Sequence, residues 1–394
     1  MAGFPRDWTV EPLSRIGDVL MCKRVLKSQT APMGEIPFYK IGTFGKMADA
    51  YIPHELFDSF RKAYSFPKPG DILVSAAGTI GRTVIFDGAD SYFQDSNIVW
   101  LGNDESSVLN SYLYWWYQVV KWTTEDGGIV ARLYNGNFRA TTIAYPDIPE
   151  QRRIADALDS VDRLIDNLTR RIEKKRQVKQ GAMQALLTGK KRLPGFKGEW
   201  STRNIGSMGE LFKGSGLSKD KVGLYGRHKC ILYGDLFTQY RLQVKTCFGT
   251  TDSNEGFLSR KGDVLVPGST TTEGIDLATA ACVYEDGIRL GGDIIVIRNS
   301  YDKFDPLFLA AEISFVNREA VADIAQGTTI VHLHPAQLSS IRYFVPDDIA
   351  EQHAIAEVLS DMDAEIAKLE AKRDKHVDIK QGMMNDLLTG KVRI

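Results

Sequence analysis

A long internal repeat limits the fold of this chain more than any other feature of its sequence. Residues 150–193 align with residues 351–394 without a gap, at an offset of 201. Both copies begin with Glu-Gln, contain Lys-Gln-Gly and end in Leu-Leu-Thr-Gly-Lys followed by three more residues. Self-similarity at a fixed spacing indicates one structural unit that occurs twice. The chain is therefore expected to fold as two related halves.

The repeat extends more weakly upstream of each of these segments. Trp8 matches Trp200, and Gly70-Asp71 matches Gly262-Asp263, at an offset of 192. Each half therefore consists of a block whose sequence differs between the two copies, followed by a helical block whose sequence is more similar. The sizes of these blocks are within the ordinary range for domains. The predicted organisation is a globular domain over 1–146, a helix over 147–193, a second globular domain over 194–346 and a second helix over 347–394.

Apolar residues in both repeated segments follow the alternating four- and three-residue spacing of a coiled-coil seam. Such a stripe is narrower than that of a helix lying on a globular core, so each helix is expected to pack on another helix. The predicted seam residues are Ile154, Leu158, Val161, Ile165, Leu168 and Ile172 in the first copy, and Ile355, Leu359, Met362, Ile366 and Leu369 in the second.

Start and stop signals bound each helix. Asp147 and Glu150 have the spacing of a capping box, and Gly189 is placed to end the helix in a left-handed conformation. The second copy repeats all three residues. Each helix would then contain ~38 residues and be ~57 Å long, at 1.5 Å per residue.

Charge indicates which helices pair. Residues 150–193 contain twelve Lys and Arg against six Asp and Glu, whereas residues 351–394 contain seven against nine. Opposite flanking charges favour pairing of the two helices with each other. An antiparallel pair would give the chain pseudo-twofold symmetry. An intermolecular coiled coil is the alternative, because surface charge contributes little to stability.

The globular blocks combine short β-rich segments with apolar helical stretches. Residues 71–74 and 263–266 are typical of strands, and residues 111–121 of a helix. The aromatic residues within 112–122 are expected to form core rather than to stack on bases. The predicted fold class is α+β: two globular α/β domains with curved sheets, separated by two long antiparallel coiled-coil helices.

Composition excludes several functional classes. The chain contains 49 Lys and Arg against 50 Asp and Glu, so binding to a polyanion has to depend on local clusters. The most apolar run, near 112–120, is shorter than the ~20 residues that span a bilayer. The four cysteines have no C-x-x-C spacing. These features predict a cytoplasmic protein in a reducing compartment.

Catalytic motifs are incomplete in this sequence. Residues 212–216 match the F-x-G-x-G loop of methyltransferases, but no Asn-Pro-Pro-Tyr or Asp-Pro-Pro-Tyr motif follows. His332 and His334 have no further ligands at metal-binding spacing. The sequence therefore predicts no catalytic centre, metal or cofactor in this chain. The alternatives are a stand-alone DNA methyltransferase or nuclease with unrecognised motifs, and a coiled-coil adaptor that binds only protein.

The two-copy arrangement and its motifs resemble the specificity (S, or HsdS) subunits of Type I restriction-modification systems. The Glu-Gln-x-x-Ile-Ala-x-x-Leu openings at 150 and 351, and the Leu-Leu-Thr-Gly-Lys closings at 186 and 387, are typical of that family. The resemblance covers the chain from end to end. It implies two target-recognition domains that each read one half of a bipartite, asymmetric double-stranded DNA site.

The same resemblance implies partners and a division of labour. The helices would act as a spacer and dock two modification (HsdM) subunits, which carry S-adenosylmethionine and the adenine methyltransferase site. Restriction (HsdR) subunits would add cleavage that depends on ATP and magnesium. This chain would be their non-catalytic DNA-binding subunit. A strut of ~57 Å spans ~17 base pairs, which is enough for two readers about one turn apart.

Candidate DNA contacts lie in loops of both globular blocks. Arg and Asn can make bidentate hydrogen bonds to guanine and adenine, and the two copies have different polar residues at matching positions near 132 and 332. The loop at 78–82 is either a phosphate clamp or a plain hairpin turn. The predicted DNA-binding residues are Lys40, Arg82, Arg132, Asn135, Asn137 and Arg139 in the first domain, and Lys229, Arg241, Thr270, Thr271, Arg289 and His332 in the second.

Overall fold

The computed structural model describes residues 3–123, 132–223, 225–300 and 302–394. The chain divides into two compact units. Unit 1 comprises residues 1–169 and 371–394, and unit 2 comprises residues 170–370. Each unit therefore contains one globular block together with part of each long helix. The fold class is α+β, as the sequence predicted.

Unit 1 is built mainly from antiparallel sheet. Its strands are β1 (Thr9–Pro12), β2 (Gly17–Leu20), β3 (Ile36–Tyr39), β4 (Tyr51–Ile52), β5 (Ile72–Ser75), β6 (Thr83–Ile85), β7 (Tyr92–Phe93), β8 (Ile98–Asn103) and β9 (Thr142–Tyr145). Its helices are α1 (His54–Ala63), α2 (Asn110–Tyr117), α3 (Asn135–Ala140), the first part of α4 (Ile148–Leu187) and the last part of α10 (Ile349–Leu387). The sheets have the orders β2-β8-β5-β6, β4-β3-β7 and β1-β9, and β3 pairs with β7 in parallel.

Unit 2 repeats this plan with larger sheets. Its strands are β10 (Trp200–Asn204), β11 (Glu210–Lys213), β12 (Val222–Gly223), β13 (His228–Ile231), β14 (Gln243–Val244), β15 (Gly249–Thr251), β16 (Phe257–Leu258), β17 (Val264–Pro267), β18 (Ser269–Thr270), β19 (Ala281–Val283), β20 (Arg289–Leu290), β21 (Ile294–Arg298), β22 (Val331–His332) and β23 (Arg342–Pro346). Its helices are the last part of α4, α5 (Ile205–Met208), α6 (Tyr233–Thr238), α7 (Pro306–Ala311), α8 (Arg318–Ile324), α9 (Pro335–Ser340) and the first part of α10 (Ile349–Leu387), with a π-helix at Glu312–Val316. The sheets have the orders β11-β21-β17-β19-β14, β12-β15-β13-β20-β16, β10-β23 and β18-β22.

The first strand of each globular block pairs with the strand that precedes the long helix. In unit 1, β1 is antiparallel to β9, with Thr9 opposite Tyr145. In unit 2, β10 is antiparallel to β23, with Trp200 opposite Pro346. The pairing closes each block on itself where its helix begins. This explains why the sequence repeat reaches back to the start of each block.

A glycine-aspartate turn precedes the central buried strand of each unit. Gly70 has a φ of 92°, and the Asp71 carboxylate accepts a hydrogen bond from the Lys68 N–H at 2.7 Å. Unit 2 repeats the turn at Gly262, with a φ of 90°, and Asp263. A positive φ favours glycine because it has no Cβ. The repeated Gly-Asp pair is thus a structural feature of the strands β5 and β17.

The aromatic cluster of α2 belongs to the core, as predicted. Tyr112, Trp115 and Trp116 are buried together with apolar residues of β5, β8 and β9. The Tyr112 hydroxyl donates to the Ala144 carbonyl at 2.9 Å, and the Trp115 indole donates to Asp159 at 2.8 Å. Each polar atom of these two rings is therefore satisfied inside the unit, as buried Tyr and Trp require.

The long helices α4 and α10 contain 40 and 39 residues and are antiparallel. The ion pairs between them, with N–O distances of 2.5 to 2.7 Å, are Lys175–Glu365, Arg176–Glu370 and Lys179–Asp363 in unit 2, and Lys380–Asp162 in unit 1. Arg176 pairs with Glu370, whereas Lys179, three residues later on α4, pairs with Asp363, seven residues earlier on α10, which establishes the direction. Three of these pairs join a cation of α4 to an acid of α10, in line with the predicted charge complementarity.

The helix ends have a second role that the seam pattern did not indicate. In unit 1, Ile154 and Leu158 of α4 and Met384 of α10 pack into the core beneath α2. In unit 2, Leu359 of α10 and Met183 of α4 pack into the core around β17. The remaining seam residues are buried at Leu168, Ile172, Ile355 and Ile366, and half-buried at Val161, Ile165, Met362 and Leu369. The stripe was expected to face only a partner helix, but at its ends it also faces the globular block.

Both helices end as predicted, but they do not begin with a reciprocal capping box. Gly189 and Gly390 have φ angles of 68° and 70°, which is the left-handed ending expected of glycine. Asp147 accepts from the Glu150 N–H at 3.0 Å, which is one half of a capping box. The other half is absent because the Glu150 side chain is held by Arg393 instead.

A salt bridge between a buried carboxylate and a solvent-accessible arginine ties the start of each long helix to the residues after the end of the other. In unit 1, both carboxylate oxygens of Glu150 accept from the Arg393 guanidinium at 2.5 Å. In unit 2, Arg192 makes the same bidentate contact with Glu351, whose side chain is fully buried. Bidentate pairing is the strongest form of an Arg-carboxylate contact. The Glu-Gln motif and the closing arginine are therefore repeated for a structural reason.

Two further features concern location and redox chemistry. No helix in the described part of the chain combines the length and apolar character needed to cross a membrane. The four cysteines are free thiols, and Cys22, Cys230 and Cys282 are buried. Burial raises the pKa of the Cys230 and Cys282 thiols to about 11, which keeps them in the unreactive protonated form at neutral pH.

Glu312 is a buried carboxyl group at the start of the π-helix in unit 2. Asn317 donates to its Oε2 at 3.1 Å, but its Oε1 has no hydrogen-bond partner among the described residues. Burial raises the pKa of Glu312 well above its ordinary value, because the charged form is poorly solvated there. The neighbouring Tyr343 hydroxyl is also buried without a partner in the described chain.

We expect Glu312→Gln to stabilise unit 2 at alkaline pH. A folded-state pKa above the unfolded value means that folding takes up a proton, so stability is greatest at low pH and falls as pH rises above ~4.5. The variant removes this penalty, and the gain should be on the order of 1 kcal/mol or more at pH 8. Urea unfolding at pH 5 and pH 8 measures it. The exposed Glu319→Gln is the control, and an equal gain at both pH values would contradict the assignment.

Candidate nucleic-acid interface

A basic cleft lies on the surface of unit 1, and we call it the unit 1 cleft. Its volume is about 490 Å³. The residues that line it are Arg24, Val25, Lys27, Thr30, Phe38, Lys40, Gln94, Asp95, Ser96, Asn97 and Arg132. Four of these side chains are cations and one is an anion. Among the predicted contacts of the first domain, Lys40 and Arg132 are brought together here.

The turn between β7 and β8 supplies the polar residues of the unit 1 cleft. Ser96 has a φ of 60°, a left-handed conformation that is rare for a residue with a side chain. The Arg132 guanidinium donates to the Ser96 carbonyl at 3.3 Å, and the Gln94 amide oxygen accepts from the Ile41 N–H at 2.9 Å. Neighbouring segments therefore hold the turn in place. Strained and well-supported turns of this kind are frequent at functional sites.

The cations of the unit 1 cleft are only partly neutralised. Arg24 donates to Asp95 at 2.8 Å, and Lys40 pairs with Asp49 at 2.8 Å, outside the cleft lining. Lys27 is exposed. Sequence reasoning missed Arg24 and Lys27, although Lys23, Arg24 and Lys27 form a short run of cations directly after β2 that could have indicated them.

The other predicted contacts of the first domain do not line this cleft. Arg82 donates from its guanidinium to the Phe44 carbonyl at 2.9 Å, in a hairpin between β5 and β6. Arg139 pairs with Asp18 at 3.1 Å. The last two, Asn135 and Asn137, lie on the short helix α3, where Asn135 is exposed and Asn137 half-exposed. The loop at 78–82 was interpreted as either a phosphate clamp or a plain hairpin turn. Its backbone has the form of a hairpin turn, because it joins the antiparallel strands β5 and β6.

Unit 2 contains the same backbone arrangement with different side chains. In unit 1, the Leu133 N–H donates to the Ala76 carbonyl at 2.9 Å, which places Arg132 beside the β7–β8 turn. In unit 2, the Leu333 N–H donates to the Gly268 carbonyl at 2.9 Å, which places His332 in the equivalent position. The Ala76 N–H donates to the Asn97 carbonyl in unit 1 and the Gly268 N–H donates to the Asp293 carbonyl in unit 2, so Asp293 takes the place of Asn97. One frame therefore presents Arg and Asn in unit 1, and His and Asp in unit 2.

The remaining predicted contacts of the second domain are dispersed over unit 2. Lys229 donates to both oxygens of Glu285, at 2.8 and 2.7 Å, and this contact raises the pKa of Lys229 by stabilising its ammonium form. The Arg289 guanidinium bonds to the Asn254 side-chain oxygen at 3.2 Å. Arg241 lines a separate depression beside α10. These three side chains do not converge on one cleft.

Two threonines were predicted as contacts in the same region. Thr270 is only 4% exposed, and its hydroxyl lies 2.8 Å from that of Thr272. Its position in β18, inside the fold, gives a base no access to the hydroxyl. Thr271 is the next residue and is exposed. Both residues of β18 are buried and Thr271 lies beyond the end of that strand, which explains how adjacent threonines differ in this way.

The structure gives a local description of the two motifs that the sequence analysis set aside. The described residues contain no group of three or more His, Cys, Asp or Glu that could hold a metal ion. The rings of His332 and His334 stack at 6.4 Å. In the F-x-G-x-G loop, a Cβ on Gly214 would lie 1.9 Å from the Gly291 carbonyl. That glycine is required by close packing of backbone on backbone.

Comparisons with known proteins agree on the family. The chain matches the family model for the Type I restriction modification DNA specificity domain twice, over residues 5–177 and 197–378. A type I restriction enzyme specificity subunit of Haemophilus influenzae is 58% identical over 157 residues, which is 40% of this chain and 41% of the relative. The MjaX specificity subunit of Methanocaldococcus jannaschii is 22% identical and covers 99% of this chain and 95% of the relative.

Solved structures share the fold. The crystal structure of the S subunit from M. genitalium aligns with a TM-score of 0.62 at 12% identity, and it covers 98% of this chain and 97% of that chain. A structure that describes complex assembly of a type I restriction-modification system aligns with a TM-score of 0.59 at 13% identity over all of both chains. With two copies of the domain over most of its length, the chain belongs to the family of Type I restriction-modification specificity subunits.

Proposed function

We propose that this chain is the non-catalytic DNA-specificity subunit of a Type I restriction-modification system. Each unit reads one half of a bipartite, asymmetric double-stranded site. The observation that carries this proposal is the common backbone frame with Arg132 and Asn97 in unit 1 and His332 and Asp293 in unit 2. A repeated frame with different polar side chains is suited to two readers of two different sequences.

The unit 1 cleft has the chemistry of a DNA reader. Arg132 can make two hydrogen bonds to guanine, and Gln94 or Asn97 two to adenine. Arg24, Lys27 and Lys40 surround these groups with positive charge suited to phosphates. In this proposal the cations at the edge of the cleft contribute affinity for the phosphates, and the amide side chains in the turn contribute sequence specificity.

The overall charge supports a role inside a complex. A formal net charge of -1 gives the free chain little electrostatic attraction to DNA. Partners must then supply much of the phosphate neutralisation. In this proposal the helices α4 and α10 are the spacer that docks modification subunits. Those subunits contribute S-adenosylmethionine, and restriction subunits contribute ATP-driven cleavage with magnesium.

DNA binding by the purified chain, alone and with its modification subunit, tests the proposal. We expect weak and salt-sensitive binding alone, and specific binding at physiological salt in the complex. Methylome sequencing of the host with and without this gene should show loss of one split, adenine-methylated motif. Methylation or cleavage of DNA by the chain alone, or an unchanged methylome, would contradict it.

A further inference from the structure

The residue directly before the strand β8 in unit 1, and before β21 in unit 2, differs in charge between the two units. It is Asn97 in unit 1 and Asp293 in unit 2. The two strands pair with the central strands β5 and β17 in the same antiparallel register, so the two residues occupy equivalent places. We call this place the reading position. Its two side chains have nearly the same shape but different hydrogen-bonding groups.

The surroundings of the reading position differ together with it. In unit 2, Lys213 pairs with one carboxylate oxygen of Asp293 at 3.2 Å, and the buried Ser269 donates to the other at 3.2 Å. The offset of 192 that relates the two blocks places Met21 and Ala77 there in unit 1, and neither side chain is a hydrogen-bond donor. The acid is therefore present together with two groups that hold it, and both are absent where the residue is an amide.

Both side chains at the reading position are free to bind a ligand. The Asp293 side chain is 38% exposed. A carboxylate accepts about four hydrogen bonds, and the contacts with Lys213 and Ser269 use only part of that capacity. Asn97 lines the unit 1 cleft, and its amide has no hydrogen-bond partner among the described residues. Each side chain can therefore contact a base edge without breaking a contact within its unit.

A carboxylate on a surface that reads DNA requires a physical reason. Like charges repel, so an acid beside phosphates lowers the affinity for every DNA sequence unless a base offers it a donor. In the major groove, cytosine presents its N4 amino group, guanine and thymine present only hydrogen-bond acceptors, and adenine places the acceptor N7 beside its amino group. A carboxylate therefore selects cytosine. An amide has both a donor and an acceptor, and it matches adenine.

We propose that the reading position selects one base in each half of the DNA site, an inference that rests on the proposed function. Asp293 accepts a hydrogen bond from the amino group of a cytosine in the half read by unit 2. Asn97 makes two hydrogen bonds to an adenine in the half read by unit 1. Lys213 and Ser269 are positioning residues, because they fix the carboxylate and offset its charge.

The variant Asp293→Asn tests the proposal in the full chain, in complex with the modification subunit. Asn has the shape of Asp and also tolerates the φ of 59° at this position, so the turn should be unchanged. Selection from a randomised DNA library should show one cytosine position changing to adenine, with the relative affinity for the two bases shifting by roughly 5- to 150-fold. Asp323→Asn, at an exposed position of α8, removes the same charge and should leave the motif unchanged.

The reciprocal change tests unit 1 independently. Asn97→Asp alone would place an acid near DNA without a cation, so it is combined with Met21→Lys, which supplies the counterpart of Lys213. The double variant should change one adenine position to cytosine in the other half of the site. The half altered by Asp293→Asn should keep its wild-type sequence.

The same selections contain the results that would overturn the proposal. An unchanged motif in both variants would do so, and so would a wild-type motif without a C·G pair in the half read by unit 2. Loss of preference at several positions at once would show that these residues only shape the turn, and the proposal would then be wrong. In each case the split motif would remain and the proposed function would stand. A wild-type complex that selects no split motif would instead overturn the proposed function itself.

Discussion

Replacing Arg132 by alanine in the complex with the modification subunit is expected to relax one base position in one half of the DNA site. Arg132 lies on the Ser96 carbonyl at the floor of the unit 1 cleft, where it can bond to a base edge. Loss of a bidentate contact costs about 1 to 3 kcal/mol, which corresponds to a loss of affinity of roughly 5- to 150-fold. Selection from a randomised DNA library measures both effects.

Two further substitutions distinguish contacts with bases from general electrostatic attraction to DNA. His332→Ala should relax the other half of the site, because His332 takes the equivalent position in unit 2. Lys27→Ala should weaken all sequences alike and reduce the salt dependence by about one phosphate contact. Arg61→Ala, an exposed arginine of α1 outside the cleft, is the matched control. An unchanged motif for both Arg132→Ala and His332→Ala would rule out this frame as the reader.

Replacing Leu359 by alanine is expected to destabilise unit 2 by about 2 to 5 kcal/mol, because it leaves a cavity in a close-packed core. Leu359 is 1% exposed and packs with residues of α4, β17 and β23. Its loss removes a contact that joins the long helix to the globular block. The midpoint of chemical unfolding measures the change.

Leu164 provides the control for this experiment. It lies on α4 and is 36% exposed, so Leu164→Ala should cost well under 1 kcal/mol. If Leu359→Ala were as mild as Leu164→Ala, the helix would not belong to the core of unit 2. A parallel change at Leu158, which is buried in unit 1, should be as costly as that at Leu359.

Spacing and chemistry in the sequence determined the repeat, the two long antiparallel helices and their glycine ends. These features are local or periodic: a seam repeats every three or four residues, and a left-handed ending requires a glycine at one position. The same reasoning predicted that the aromatic residues of α2 are core, since the second copy has a largely apolar stretch, residues 307–316, at that place. Two of the cleft residues, Lys40 and Arg132, were also predicted from residue type.

Tertiary structure alone decided which polar residues share a surface and what the repeated charges do. Arg24 and Lys40 lie far apart in sequence from Arg132, and they meet because β2, β3 and the β7–β8 turn come together in unit 1. Glu150 has the sequence position of a capping residue, but Arg393 at the other end of the chain binds it. Long-range contacts of this kind depend on how the sheets and helices pack, which the spacing of residues along the chain does not encode.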